Sequence, residues 1–341
     1  MKTIVCIAAV LGCMFWDMVA AATTQAKELE VGLGKDYLMI TAAMANAVSG
    51  DIIKVSPGEY GETIVFKRGV IVEGTDKQNV KILGSVTLAS NVMLKDVMME
   101  GRASDRIIIS GDGVENVKLV GVSVIGGGYY SFTEQLISIS NTRKILLYDC
   151  ELIAMNANCL VIKNGCFYIV VMRTGFTGKS EYRREAKTPL IINNAGGAKI
   201  INNSFFKERS WHPAWRGNPI FSGINLNRAQ LINNVFYAVV DNDPIQYGYN
   251  GLWMEGARLM TIKYNVFYQT GLYGIVPFNR QHHLAGSGIH ISNVIEGDPT
   301  VNAATGPTVD TGSPLFPLDP DFTRADIGKE IFMQYDNLLD R

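Results

Sequence analysis

The chain has 341 residues, 47% of them hydrophobic and 18% charged, and its formal net charge at pH 7 is −1. This length accommodates one large domain or two of ordinary size. Because basic and acidic residues nearly balance, the composition gives no electrostatic case for a nucleic-acid partner.

The first 22 residues predict a secretory signal peptide. Lys2 is followed by an apolar stretch and by small residues that end near Ala22, the order of regions found in such peptides. Asp17 and the short apolar run argue against a transmembrane helix, which needs about 20 apolar residues. The sequence "VLGC" ending at Cys13 also resembles a lipoprotein processing site, although the following "MFW" is a poor lipoprotein linker. The protein is expected to be secreted or periplasmic.

The stretch "ITAAMANAV" predicts a short amphipathic helix. Ile40, Ala43, Met44 and Ala47 fall on one helical face. An open end of a stacked-strand fold exposes unpaired strand edges and needs a cap. We therefore expect this helix to cap the N-terminal end of the strands that follow.

Three stretches of nearly identical sequence begin at Lys199, Gln230 and Thr261. Each carries an asparagine followed two residues later by a phenylalanine, in the pairs Asn203 and Phe205, Asn234 and Phe236, Asn265 and Phe267. Weaker copies extend this asparagine column to Asp96, Gly121, Asp149, Thr174 and Asn293. Self-similarity at a fixed period indicates a repeat architecture.

A second column lies two residues before the first, and it predicts the interior of the fold. Its members are Leu94, Leu119, Leu147, Met172, Ile201, Ile232, Lys263 and Ile291. Every member except Lys263 is apolar, so the column is expected to point inward. Lys263 has no explanation in the sequence.

The segments between turn residues predict strands rather than helical repeats. "RIIIS", "LISIS" and "LIIN" are short, rich in β-branched residues and bounded by Gly, Asn and Asp. Short strands stacked coil on coil form a parallel β-helix, in which aligned asparagines bond to one another and to the turn backbone. The expected fold is one all-β, right-handed parallel β-helix (residues 23–310, with the N-terminal helical cap), followed by a C-terminal tail (311–341).

The opening of the mature chain resembles a known superfamily. "VGLGKDYLMITAAMANAVSGDIIKVSPGEYGE" is similar to the start of the pectin-lyase-like right-handed β-helices, which include pectinesterases and polysaccharide lyases. The resemblance covers residues 31–74 and extends through the coils to about 300. It implies the fold and an exported, carbohydrate-active protein. The catalytic motifs of pectinesterases, polygalacturonases and chondroitinase-like lyases are absent from the sequence.

Four long segments interrupt successive copies of the repeat, at 178–188, 207–219, 238–250 and 269–283. Because they begin at the same phase of the repeat, they are expected to project from one face. Four strands about 4.8 Å apart span roughly 15–20 Å, which is the length of three or four sugar rings.

Tryptophan and histidine concentrate in the same region. Trp211, Trp215 and Trp253 lie there, and all four histidines fall between His212 and His290. Aromatic rings provide flat apolar surface for sugars as well as for protein partners. Two interpretations stay open: the loops form a ligand cleft, or they pack on one another and cover the flank of the solenoid.

Lyases of the resembled superfamily remove the proton beside a uronate carboxylate and expel the sugar oxygen, which needs a base and a positive group or calcium. The positive groups available in the loops include Arg183, Lys207 and Arg209. We predict the catalytic set His212, Arg216, Tyr247, Arg280 and His282. We predict the substrate-binding set Trp211, Trp215, Tyr249, Trp253, Lys179 and Arg184. Calcium, the one cofactor considered, would bind to Asp241, Asp243 and Glu255.

Three cysteines follow the signal peptide: Cys150, Cys159 and Cys166. Their spacing matches no zinc pattern, and an odd number leaves at least one free thiol. Free cysteine behaves as a small apolar residue. The sequence therefore predicts buried thiols.

The function predicted first is an exported monomer that binds and cleaves an acidic polysaccharide, by β-elimination if it is a lyase. The alternative is a non-catalytic surface or envelope solenoid that binds glycan or protein partners. An epimerase, which shares the first proton abstraction of a lyase, is a third hypothesis.

Overall fold

A computed structural model describes residues 26–102, 105–127, 133–179, 187–208, 219–239, 251–268, 283–292 and 295–296 of the chain. The N-terminal part contains β1 (Glu28–Val31), α1 (Ile40–Asn46), β2 (Ile52–Val55), β3 (Gly58–Tyr60), β4 (Ile64–Val65), β5 (Ile71–Gly74), β6 (Val80–Leu83), β7 (Val86–Thr87), β8 (Val92–Lys95) and β9 (Met98–Glu100). The central part contains β10 (Ile107–Asp112), β11 (Glu115–Val120), β12 (Ser123–Gly127), β13 (Gln135–Ser140), β14 (Arg143–Tyr148), β15 (Glu151–Met155), β16 (Asn158–Lys163), β17 (Phe167–Met172) and β18 (Gly175–Lys179). The last part contains β19 (Leu190–Asn193), β20 (Gly196–Ile201), β21 (Ser204–Glu208), β22 (Phe221–Ile224), β23 (Gln230–Ile232), β24 (Val235–Val239), β25 (Leu252–Lys263), β26 (Val266–Tyr268), β27 (His283–Ser292) and β28 (Ile295–Glu296).

These strands stack in parallel into a solenoid with three faces. Face one consists of β4, β7, β10, β13, β16, β19, β22 and the first halves of β25 and β27. Face two consists of β1, β2, β5, β8, β11, β14, β17, β20, β23 and the second halves of β25 and β27. Face three is the sheet of β3, β6, β9, β12, β15, β18, β21, β24, β26 and β28. The predicted all-β parallel solenoid is confirmed.

A short helix lies near the first strands. In α1 the residues Ile40, Ala43 and Met44 are buried, as the amphipathic pattern predicts. The side chain of Met39, the residue before the helix, makes no capping hydrogen bond. Instead, the carboxylate of Glu62 accepts hydrogen bonds from the backbone nitrogens of Ile40 (2.9 Å) and Thr41 (2.8 Å). A carboxylate is favourable there because the first amides of a helix lack partners. That α1 caps the solenoid stays a prediction.

The asparagine ladder is confirmed where the repeat is strongest. The backbone and side-chain nitrogens of Asn203 both donate to Oδ1 of Asn234 at 3.0 Å. The same two donors of Asn234 reach Oδ1 of Asn265 at 2.9 Å. All three side chains are fully buried. Each amide also donates to the carbonyl oxygen of an inward-facing strand residue: Val171, Ile200 and Leu231 respectively.

The phenylalanines of the repeat form a continuous stack inside the solenoid. The ring centroids of Phe176 and Phe205 lie 4.6 Å apart, those of Phe205 and Phe236 4.8 Å, and those of Phe236 and Phe267 4.8 Å. The planes are nearly parallel, within 11° in every pair. Parallel in-register strands place one ring over the next at the strand spacing.

In the earlier coils the predicted asparagine column was wrong by one residue. Glu151 pairs with Gly175, so Cys150 rather than Asp149 aligns with Thr174. Asp149 belongs to the preceding row, whose φ is positive throughout: Asp96, Gly121, Asp149, Arg173, Asn202, Asn233 and Tyr264. The backbone nitrogens of this row from Asp96 to Asn233 donate to carbonyl oxygens of the next coil. Asparagine suits the preceding row because it adopts a positive φ readily, and it suits the ladder row because its side-chain amide bonds to the next coil. Asn293 lies outside the described residues.

The same one-residue shift corrects the column predicted to point inward. The buried row continues from Leu147 through Val171, Ile200, Leu231 and Ile262. The predicted members Met172, Ile201, Ile232 and Lys263 occupy the next row, which faces outward because successive strand residues point to opposite faces. The polarity of Lys263 is explained by this outward position.

The three cysteines predicted to be buried thiols are free and buried. Burial raises the pKa of the Cys159 thiol well above its ordinary value. The Cys159 sulfur therefore stays protonated, and the buried cysteines act as small core groups.

Asp51 gives the start of the solenoid a pH-dependent contribution to stability. Its carboxylate is buried and accepts hydrogen bonds from the backbone nitrogens of Val48 and Lys27, both at 2.9 Å. These bonds, that from Val48 first, lower the pKa of Asp51. Because the folded pKa is below the unfolded value of about 3.9, the stabilisation is fully present above that pH and is lost as the pH falls through the folded pKa.

We therefore expect Asp51→Asn to lower the free energy of unfolding at pH 6, and the difference from the parent protein to shrink between pH 4 and pH 2. Denaturant titrations at a series of pH values measure this difference. Asp36→Asn removes a nearby exposed carboxylate and serves as the control, with little expected change. A deficit of Asp51→Asn that is the same at pH 2 and pH 6 would contradict the assignment.

Candidate functional site

The long connections leave and re-enter the solenoid at one corner. β18, β21, β24 and β26 pair in register on face three, and β19, β22, β25 and β27 pair in register on face one. The chain between each strand of the first set and the next strand of the second set contains one of the predicted loops. We call the junction of face three and face one at these strand ends the loop corner. The loops therefore begin at the same phase of the repeat; the expectation that they project from one face stays a prediction.

Each predicted loop overlaps the solenoid at one or both ends. Residues 178–179, 207–208 and 238–239 are the last residues of β18, β21 and β24, and residue 283 is the first of β27. The strand pattern of the repeat continues into these residues, so each loop between strands is shorter than the sequence predicts.

Trp253 lies on the outer surface of face one, beside the loop corner. Its neighbours in β25, Leu252 and Met254, are completely buried, so Trp253 projects outward and is half-buried. Its row along the axis continues through Ser222, Ile191, Val161 and Ser138. Ile191 and Ser222 are partly exposed, as Trp253 is, whereas Val161 and Ser138 are only 6% and 7% exposed. We call Ile191, Ser222 and Trp253 the outer strip; three strands about 4.8 Å apart give it a length of roughly 10 Å, and the row continues from Trp253 to His283.

Glu255, predicted as a calcium ligand, follows Trp253 on the same outer surface. It is exposed, and its neighbours in the row are Ile224 and Ala285. Calcium takes six to eight oxygen ligands, and the part of the chain that the structure describes holds no group of three or more His, Cys, Asp or Glu placed to bind a metal. The other two predicted ligands, Asp241 and Asp243, lie outside the described residues. The calcium site stays a prediction.

Lys179 ends β18 at the loop corner and is partly exposed. Three coil steps separate it from the coil of Trp253, an axial distance of about 14 Å. The structure thus places both predicted substrate-binding residues beside the loop corner without bringing them into contact.

Lys207, considered in the sequence as a positive group for substrate, is instead inside the solenoid. Its side chain is 1% exposed, and its row neighbours are the small residues Gly178 and Ala238. The interpretation as a substrate cation was wrong, because an inward ammonium cannot reach a polymer outside. The signal was present in the sequence, since Lys207 lies two residues after the inward Phe205.

The remaining predicted site residues lie outside the described residues. They are Arg184, Trp211, His212, Trp215, Arg216, Tyr247, Tyr249, Arg280 and His282. Their roles stay predictions. Their chain segments are nevertheless tied at both ends to the loop corner by the strands that flank them.

Comparison with known proteins gives matches of structure alone. No protein-family model matches the chain, and no curated protein matches it. Among solved structures, the catalytic domain of a GH87 α-1,3-glucanase in complex with nigerose is 12% identical, with a TM-score of 0.47 over 81% of this chain and 59% of that one. The chain therefore spans less than two thirds of that neighbour.

Two further neighbours are pectin methylesterases. One, in complex with a hexasaccharide, is 9% identical, with a TM-score of 0.45 over 80% of this chain and 90% of that one. The other, PemA from Erwinia chrysanthemi, is 10% identical, with a TM-score of 0.31 over 80% and 94%. No specific family is identified.

Among the described residues, no helix has the length and apolar character needed to cross a membrane.

Proposed function

We propose that the protein is an exported, carbohydrate-active β-helix protein that binds and cleaves an acidic polysaccharide along face one, beside the loop corner. One observation carries the proposal. The outer strip on face one contains Trp253, and four long connections begin in register at the adjacent corner. Four strands about 4.8 Å apart span roughly 14 Å, which, with an aromatic ring beside them, suits a run of about three sugars.

The residues proposed for chemistry belong to the connections at this corner. Arg216 and Arg280 would neutralise the uronate carboxylate, because a planar guanidinium matches it bidentately and stays charged. A histidine or tyrosine, with His212 first, would take the proton beside the carboxylate. The electron pair of that C–H bond then forms the new double bond, and the sugar oxygen leaves with a proton supplied by an acid such as Tyr247.

A second candidate, a non-catalytic glycan-binding solenoid, is favoured by the composition of the outer strip itself. Ile191, Ser222 and Trp253 can contact a sugar face, but none of them transfers a proton readily at neutral pH. Under this candidate the loops add affinity and no chemistry.

The test is incubation of the protein with alginate, pectate, chondroitin and heparin. Two signals are followed together: the ultraviolet absorbance of a new unsaturated uronate and the appearance of reducing ends. β-Elimination raises both signals, whereas hydrolysis raises reducing ends alone. Binding without either signal would favour the non-catalytic solenoid, and no binding at all would refute both candidates for these polymers.

A further inference from the structure

A different corner of the solenoid, between face one and face two, carries exposed aromatic and basic residues. One row of parallel pairs runs along this corner through Arg143, Phe167, Gly196, Asn227 and Arg258. Phe167 is 50% exposed. The stacked core phenylalanines Phe205 and Phe236 are at most 1% exposed, so half of the Phe167 ring lies outside the packed interior.

The adjoining row contains the next residue of each coil: Lys144, Tyr168, Gly197, Arg228 and Leu259. Tyr168 is 62% exposed and Leu259 58% exposed. We call these two rows together the corner stripe. It faces away from the loop corner, so it is not part of the surface proposed above for chemistry.

The second row holds its large side chains at a backbone cost. Lys144, Tyr168, Arg228 and Leu259 have φ between 54° and 59°. Left-handed backbone costs most residues roughly 1–2 kcal/mol, whereas glycine and asparagine adopt it readily. The row itself uses glycine at Gly197. Tyr168 and Arg228 therefore occupy positions where asparagine would be more stable, so replacing them by asparagine should not lower the stability of the fold.

The glycines of the stripe bring one aromatic ring close to the backbone. A Cβ atom on Gly196 would lie 3.0 Å from Cε1 and 3.1 Å from Cδ1 of Phe167. The ring therefore packs against a bare backbone position of the next coil. Such a ring has a fixed orientation and presents one face at the surface, next to the exposed Tyr168.

Basic residues flank the aromatic pair. Arg143 precedes it by one coil, and Arg228 and Arg258 follow it by two and three coils; all three are exposed. Lys144 is 3.3 Å from Glu115 and is partly neutralised. No ion pair of Arg143, Arg228 or Arg258 occurs among the described residues. The nearby carboxylates are Glu115, which is the register partner of Arg143, and Asp112 at the early end, and Glu255 at the late end.

We propose that the corner stripe is a second binding surface, for an acidic polysaccharide chain that lies along the solenoid axis. The aromatic rings would contact sugar faces, and the arginines would bind carboxylates bidentately. Arg143 and Arg258 are four coil steps apart, or about 19 Å. Few cations and two flat rings suit a polymer with apolar ring faces and widely spaced charges better than a nucleic acid, whose affinity depends on many phosphate contacts.

The test measures the affinity of the full chain for oligogalacturonate and oligoalginate of defined length by titration calorimetry. Tyr168→Asn and Arg228→Asn should each weaken binding about tenfold, the equivalent of one good contact. Each should leave the melting temperature unchanged or raised, since asparagine relieves the left-handed backbone. A lower affinity together with an unchanged or higher melting temperature would not be expected if Tyr168 and Arg228 had a purely structural role.

Arg173→Asn is the matched control. Arg173 is exposed and has φ of 51°, but it lies at the corner between face two and face three. The Arg173→Asn variant loses the same charge as Arg228→Asn, in the same backbone conformation. Its affinity for the oligouronates should stay within about twofold of that of the parent protein. Equal weakening in the control would show that overall charge alone matters and would overturn the proposal. Unchanged affinity in both stripe variants would also overturn it.

The proposal does not depend on the function proposed for the loop corner, and two measurements separate them. Stripe variants should keep the rate at which any short oligomer is cleaved, while Arg216→Ala with His212→Ala should keep binding at the stripe. If that double variant loses all binding, the stripe holds no site. Binding of a thymidine dodecamer at least as tightly as the oligouronates would also overturn the proposal, in favour of a nucleic-acid surface.

Discussion

Replacing Phe236 by alanine should lower the free energy of unfolding by about 3–5 kcal/mol, the range for removing a large aromatic side chain from a core. The ring is completely buried, with Phe205 and Phe267 each at 4.8 Å on its two sides. A solenoid coil contacts mainly its neighbours. The cavity therefore interrupts the interior between two coils, and distant contacts cannot close it.

Denaturant unfolding of the parent and variant measures the difference. Phe167→Ala is a matched control, since it removes the same group from a half-exposed position and should cost far less. Phe205→Ala combined with Phe236→Ala should cost less than the sum of the two, because each single change already breaks their shared contact. Equal costs at Phe236 and Phe167, or strict additivity in the pair, would contradict the stacked interior.

Changing Arg216 and His212 to alanine should abolish turnover of any acidic polysaccharide that the protein cleaves. Loss of a group that transfers a proton typically lowers the rate by 10²–10⁴-fold, and loss of the carboxylate partner adds to this. The melting temperature should stay nearly unchanged, because loop residues contribute little to a stacked core. Initial rates and thermal unfolding are measured on the same preparations.

Arg173→Asn again provides a control, since it removes one exposed cation far from the loop corner and should keep full turnover. Intact binding and cleavage in the double variant would place the chemistry elsewhere. A fall in the melting temperature of several degrees would instead show that these loop residues support the fold.

The fold was predictable from the sequence because each coil of a solenoid repeats the same pattern of inward, outward and turn residues. The copies at Asn203, Asn234 and Asn265 are close enough in sequence to fix both the ladder and the phenylalanine stack. The weaker copies were misplaced by one residue at Asp149, because a left-handed turn position and a ladder position are adjacent there. Asparagine and aspartate suit both kinds of position, so residue type alone cannot separate them.

The candidate site was less predictable, for two physical reasons. Within the strands, alternation predicts which side chains face outward, and applying it to Lys207 predicts an inward side chain. The loops have no sequence period, so residue spacing does not predict where their side chains lie. The corner stripe gave no signal either. Glycine and asparagine are the residues that mark left-handed positions. Tyr168 and Arg228 are neither, so the sequence there matches that of ordinary surface.

The spacing of the ladder has a consequence for how such a chain can change over generations. Asn203, Asn234 and Asn265 are 31 residues apart, and the same interval separates Leu190, Phe221 and Leu252, which pair in register. A duplication or deletion of one such unit rejoins equivalent positions, so every remaining residue keeps its chemical surroundings. The outcome is a molecule longer or shorter by one strand spacing, about 4.8 Å. Reach along a polymer is therefore a trait that the gene can adjust in discrete steps, independently of the contacts made at each step.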